Sequence, residues 1–306
     1  MLSVGGNLDS DLADTAVAIG KFDALHLGHQ QLLHELIETA DDAGLAAAVI
    51  TFDRHPNAVL DPSSVPEAII GKTQKSIMLE EFGIDVLSVL EFDDSLASLS
   101  PEAFIQRYVV PLRARIVMVG AGFRFGSGGA GDFRALIELG LKYGFQAREV
   151  RNVEVNGKKI STSEIRDLLK SGKVEAANLL LGRNHATKGL VEHGRKLGRK
   201  LGFPTANLSR SSEGLLPADG VYAGYLHVDG VRYPAAHSVG TNDSIEAVPR
   251  LLESHVMDRD DLDLYDKVVE CEYVAQVRGW AKFESVEKLK GQIAADVARA
   301  KQLLAG

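Results

Sequence analysis

Short apolar runs alternate with longer amphipathic stretches through the first half of the chain. Ala16-Val17-Ala18-Ile19 predicts a buried strand over residues 17–19. Leu32, Leu33, Leu36 and Ile37 then recur at helical spacing within residues 29–40. Further strands are predicted over Ala46–Phe52, Val86–Leu90, residues 116–119 and residues 147–153. Between them, helices are predicted over residues 73–82, 101–108 and 132–143, with Ser100 and Pro101 suited to N-cap and first helical position. Strands separated by helices in this way predict a parallel sheet with helices on both faces.

The pattern changes after Ser163, which is expected to cap a helix over residues 164–170, and Val174–Leu181 predicts a second short helix. From Gly189 onward the sequence is β-like. Gly220–Val228 and residues 231–233 flank Asp229-Gly230, a strong hairpin signal. Residues 251–257 and 267–275 add strands, and residues 285–304 a final helix. This half predicts a small antiparallel β-barrel with a terminal helix. The boundary falls near 181–184, giving domains 1–182 and 183–306.

Composition narrows the setting. The 306 residues suit two domains, and 45% hydrophobic with 25% charged content is that of a globular protein. A single cysteine, Cys271, rules out an intrachain disulfide and a thiolate zinc site, and suits a reducing cytoplasm. The N-terminal residues have no basic, apolar signal pattern, and no stretch approaches the roughly 18 apolar residues of a membrane span. A formal charge of −8 argues against nucleic-acid or acidic-membrane partners. Basic pairs such as Arg199-Lys200 suit a small polyphosphate or a solvated face; homo-oligomerisation is left open.

Two constellations carry chemistry. The first is Gly20-Lys21-Phe22-Asp23-Ala24-Leu25-His26-Leu27-Gly28-His29, at a strand-to-helix transition. A helix N-terminus offers unpaired N–H donors and attracts phosphate. Gly28 admits close backbone approach, and His26 and His29 can donate to an α-phosphate as negative charge builds on it. The second is Gly198-Arg199-Lys200-Leu201-Gly202-Phe203-Pro204-Thr205-Ala206-Asn207. Its glycines suit a loop over phosphates, and Thr205 and Asn207 supply hard oxygen ligands for Mg²⁺.

The first string resembles the HxGH nucleotidyltransferases. Together with Thr51-Phe52-Asp53-Arg54-His55-Pro56, Phe123-Arg124-Phe125-Gly126 and Ser161-Thr162-Ser163-Glu164-Ile165-Arg166, it is similar to the adenylyltransferase module of the bifunctional riboflavin kinase/FAD synthetase family. The second string resembles that family's riboflavin kinase signature. The resemblance implies that ATP and FMN become FAD and pyrophosphate in the first domain, with His26 and His29 at the ATP phosphates. It also implies a second phosphate-binding set of Ser161, Thr162, Ser163 and Arg166. Gly20, Phe22, Asp23, Gly28 and Phe123 complete the expected nucleotide and flavin contacts. In the second domain it implies riboflavin phosphorylation by ATP, with Glu253 as base, Gly198, Arg199, Gly202 and Pro204 around the nucleotide, and Thr205 and Asn207 on Mg²⁺.

The chain departs from the family at several places. Ala24 stands where the family has glycine, and its methyl is expected to crowd a positive-φ backbone. Gly122, like Ala121, stands where the family carries an acidic or amide residue, so a polar contact is expected to be missing. Asp243-Ser244-Ile245 replaces the family's Pro-Thr-Phe near the flavin. These departures leave open a kinase whose first domain is weakened or uses another acceptor, and a flavin-binding paralogue without chemistry.

Overall fold

The computed structural model describes residues 2–3, 12–193, 198, 201–241 and 250–305. Contacts divide the chain into two compact units. One runs to Ala68 and resumes over Lys72–Ile160; the other comprises Ile69–Gly71 and the residues from Ser161 onward.

The first unit is built on a parallel sheet. Its strands are β1 (Leu2–Ser3), β2 (Thr15–Ile19), β3 (Ala46–Phe52), β4 (Val86–Leu90), β5 (Ala114–Gly120) and β6 (Gln146–Val150), in the order β1-β4-β3-β2-β5-β6. All five residues of β2 are buried, as a central strand covered on both faces requires. Val17, Ile19, Ile50, Val117 and Val119 pack with Phe104 and Phe125 into one apolar cluster. Helices α1 (Leu27–Ala43), α2 (Lys72–Glu81) and α3 (Phe133–Tyr143) connect the strands. The helix predicted over 101–108 is α-helical only over Pro101–Phe104; a π turn, Ile105–Val109, follows. Ser100 caps it as expected, accepting from the Ala103 N–H at 3.1 Å. A small hairpin, β7 (Glu154–Val155) and β8 (Lys158–Lys159), ends the unit.

The second unit begins with helices α4 (Thr162–Lys170) and α5 (Val174–Leu181). Here the expected cap moves: the Ser161 hydroxyl accepts from the Glu164 N–H at 3.1 Å, and Ser163 lies within the first turn. Six strands then close an antiparallel barrel: β9 (His185–Glu192), β10 (Ala206–Leu208), β11 (Gly220–Val228), β12 (Val231–Gly240), β13 (Leu251–Val256) and β14 (Val268–Gly279). Strand β10 is a three-residue element that the sequence pattern does not predict. The Asp229-Gly230 turn has φ of 51° and 75°, the left-handed pair that a two-residue hairpin demands. Helix α6 (Val286–Ala305) packs on the barrel and is tied to β14 by a half-buried ion pair, Arg278 to Asp296 at 2.8 Å. The parallel-sheet domain and the helix-closed barrel are the fold that the hydrophobic pattern predicts.

Candidate functional site

In the first unit, chemistry-bearing residues gather where β2 runs into α1. The Gly20 N–H extends the ladder to the Ile50 carbonyl at 3.1 Å. The next residues turn sharply: Phe22 and Leu25 have φ of 48° and 44°, and both are fully buried. Non-glycine residues rarely take this conformation, and it persists only where surroundings over-determine it. Gln30 supplies one restraint, its amide donating to the Leu25 carbonyl at 2.8 Å.

His26 is the N-cap of α1, and its Nδ1 accepts from the His29 N–H at 3.3 Å. An Nδ1 that accepts carries no proton, so the neutral ring is protonated on Nε2. The His26 and His29 rings stack, with centroids 3.8 Å apart, and Phe22 meets His29 edge-on at 5.3 Å. Gly28 lies in the first turn, where an added Cβ would sit 3.2 Å from the His26 ring. Two imidazoles are thus held side by side at a helix N-terminus, a pairing suited to developing phosphate charge. Asp23 is half-buried in the same loop.

Two departures from the family look different in three dimensions. Ala24 is fully buried but lies outside the positive-φ set; the left-handed positions are its neighbours Phe22 and Leu25. The expected crowding at Ala24 is therefore absent. Gly122 has φ of 80° with nothing within 4 Å of a would-be Cβ. Glycine, asparagine and aspartate are the residues that tolerate this backbone, so Gly122 preserves the turn. Nearby, Phe123 is half-buried and stacks on Phe125 at 5.6 Å.

Ser161, Thr162, Ser163 and Arg166 lie at the start of α4, which the contacts assign to the second unit. Arg166 is buried, at 7% exposure.

On the barrel, strand register brings the second set together. Glu192 lies opposite Asn207, Asn207 opposite Glu253, and Glu253 opposite Ser238. Alternation puts Ala206 and Leu208 inside, so Thr205 and Asn207 share the other face. Leu252 and Ser254 likewise point inward, leaving Glu253 and His255 on the face of Asn207. Thr205, Asn207, Glu253, His255 and Trp280 line a cavity of about 510 Å³ that reaches α6.

The Glu253 side chain makes no hydrogen bond or ion pair among the described residues, and burial pushes its carboxyl above the usual range. The His255 Nδ1–H donates to the Pro204 carbonyl at 2.8 Å, and its ring meets Phe203 edge-on at 5.6 Å. His255 thereby fixes the segment that carries Thr205. Sequence reasoning missed it, although its position two residues beyond Glu253 on a strand was the available signal. Gly198 also lines the cavity; the Phe203 N–H donates to its carbonyl at 2.8 Å, and an added Cβ would lie 2.4 Å from the Phe203 carbonyl. Gly202 follows in that turn with φ of 89°. Arg199 and Asp243-Ser244-Ile245 lie outside the described residues.

Comparison with known proteins matches both halves. The FAD synthetase family matches residues 8–164 and the riboflavin kinase family residues 181–304. A bifunctional riboflavin kinase/FMN adenylyltransferase of Bacillus subtilis is 34% identical over 294 residues, 94% of this chain and 92% of that protein. The Escherichia coli K12 protein of that description is 33% identical over 288 residues, 94% of this chain and 91% of its own length. A crystal structure of a Streptococcus pneumoniae protein called a macrolide-efflux protein has a TM-score of 0.87 at 29% identity, covering 98% of this chain and 99% of that one.

Proposed function

The chain belongs to the bifunctional riboflavin kinase/FMN adenylyltransferase family, and from that premise we propose which residues perform its two reactions. It is a transferase that converts riboflavin to FMN and FMN to FAD, with ATP as the second substrate of each step.

In the barrel, Glu253 accepts the proton of the riboflavin ribityl 5′-hydroxyl as that oxygen attacks the γ-phosphate of ATP. Its raised pKa brings it closer to the working range of a general base. Gly198, Arg199, Gly202 and Pro204 shape the loop beside the nucleotide. The half-buried Thr205 hydroxyl and Asn207 carboxamide oxygen fit a hard cation, and two protein ligands suit one that keeps water and phosphate oxygens around it. Mg²⁺ held there supplies charge neutralisation for the transferring phosphoryl group.

In the sheet domain, an FMN phosphate oxygen attacks the α-phosphate of ATP. A new P–O bond forms, the α–β bridging P–O bond breaks, and pyrophosphate leaves. His26 donates from Nε2 to the α-phosphate oxygens, and His29, stacked beside it, holds the same group. Gly20, Phe22, Asp23 and Gly28 form the loop around the phosphates, and Phe123 offers a ring face to the bound substrate. Ser161, Thr162 and Ser163 bind phosphate oxygens, and Arg166 balances the charge of the leaving pyrophosphate.

We place the functional boundary at 182/183, so that α4 and α5 belong with the transferase although their contacts lie in the second compact unit. The lone, buried Cys271 supports a cytoplasmic setting. Among the described residues no helix is long and apolar enough to cross a membrane. The partners are riboflavin, FMN and ATP. The net charge of −8 argues against nucleic acid and acidic membranes.

The observation that carries this reading is the cross-strand pairing of Asn207 with Glu253 at the cavity. The test is incubation with riboflavin, ATP and Mg²⁺ followed by flavin chromatography. FMN is expected first and FAD after it. FMN that never advances, even when supplied directly, would remove the transferase half.

A further inference from the structure

Lys75 is a lysine of α2 that neither motif contains. Its Nζ donates to the Lys21 carbonyl at 3.1 Å and to the Phe52 carbonyl at 3.2 Å. Lys21 lies in the loop leaving β2, and Phe52 ends β3. The ammonium therefore joins the exits of two neighbouring strands. The Lys21 carbonyl also accepts from the Thr51 hydroxyl at 3.1 Å, so two donors converge on one oxygen. Desolvation, aided by the charge of Lys72, lowers the lysine's pKa against the pull of Asp23 and Asp53. The lysine is half-buried, and holding its ammonium against two backbone carbonyls costs it part of its hydration, a cost that the geometry it fixes offsets.

We propose that Lys75 is a positioning residue for adenylyl transfer, clamping the loop that carries His26 and His29; the proposal rests on the assignment of that reaction to the sheet domain. The loop needs such a clamp. Between Lys21 and His26 it holds two left-handed non-glycine residues, Phe22 and Leu25, each a strained conformation. Gln30 restrains the helix side of this segment, whereas Lys75 and Thr51 restrain its start. Without the clamp the segment can relax, and the phosphate-facing imidazoles shift with it. Misplacement on the order of 1 Å costs about 100-fold in rate.

The test compares K75M, K75R and T51V with the wild-type full chain, measuring both reactions in each. K75M is expected to lower kcat for FAD formation from FMN about 10- to 100-fold, with KM for ATP and FMN little changed. Riboflavin phosphorylation by the same chain should stay at the wild-type rate. K75R, which keeps charge and donors, should recover most of the loss. T51V should lower the same kcat, and the T51V/K75M pair should fall short of the product of the single effects, because both donors serve one carbonyl. T51V stands alone as the test should K75M fail to fold. An unchanged kcat in K75M or, failing that variant, in T51V overturns the proposal. So does a rise in KM at constant kcat, which would make Lys75 a substrate-binding group. A wild-type chain that makes FMN but no FAD from it overturns the underlying assignment as well.

Discussion

In the proposed mechanism His26 uses one ring for two purposes. Its Nδ1 caps α1 through the His29 N–H, and that bond sets the proton on Nε2, where a phosphate can use it. The purposes separate by mutation. Asparagine is a good N-cap but has no imidazole, so His26→Asn should preserve stability while FAD formation falls about 100- to 1,000-fold. His26→Ala should lose the same activity and also about 0.5–2 kcal/mol of stability. Urea unfolding alongside an FMN adenylylation assay checks both; an active His26→Asn would mean that His26 only caps. At this scale the sequence made the strand-to-helix junction legible, because an apolar strand running into a glycine- and histidine-bearing helix start has few other placements. Backbone torsion was less so. The expected strain at Ala24 belongs to Phe22 and Leu25, and the cap expected at Ser163 belongs to Ser161. Three hydroxyls in a row fit the same capping pattern, and only the chain direction selects one.

Among the elements, the long periodic ones were legible and the short ones were not. Ala46–Phe52, Val86–Leu90 and Val174–Leu181 lie where the pattern puts them. Strand β10 escaped because Pro204 and Asn207 read as loop residues, and three residues give no alternation to detect. Its pairing with β9 and β13 is a tertiary effect. The π turn at Ile105–Val109 likewise leaves no mark in a 3.6-residue period. The barrel strands also bury two histidines. His185 faces the Leu215 carbonyl, Tyr273 and the charge of Arg183; His237 faces Ser254, the Glu272 carbonyl and Tyr273. Burial pulls each imidazole down to about 4. An unfolded histidine titrates near 6.5, so between about pH 6.5 and 4 the unfolded chain binds protons that the folded barrel refuses. The stabilisation is full above that window and is lost as pH falls through it. Trp280, the one tryptophan of the chain, reports on this unit. Its thermal transition should fall by several degrees from pH 7.5 to 5; an unchanged midpoint would mean that the histidines are not held neutral.

For the whole molecule, the order of motifs along the chain was the most legible feature, and it anticipated both the parallel-sheet half and the barrel half. Compactness and sequence families divide the chain at different points. Contacts break at Ser161, whereas the family matches end at 164 and resume at 181. Helices α4 and α5 fill that interval, and a sequence pattern carries no sign of which core a short amphipathic helix will join. On the proposed assignment one chain runs two successive reactions at separate sites, with Glu253 serving only the first. The most direct measurement gives a Glu253→Gln chain ATP and Mg²⁺ with either riboflavin or FMN, and separates the flavin products. The predicted result is no FMN or FAD from riboflavin, but FAD from FMN at the wild-type rate. FAD from riboflavin, or equal loss of both reactions, would contradict the two-site account.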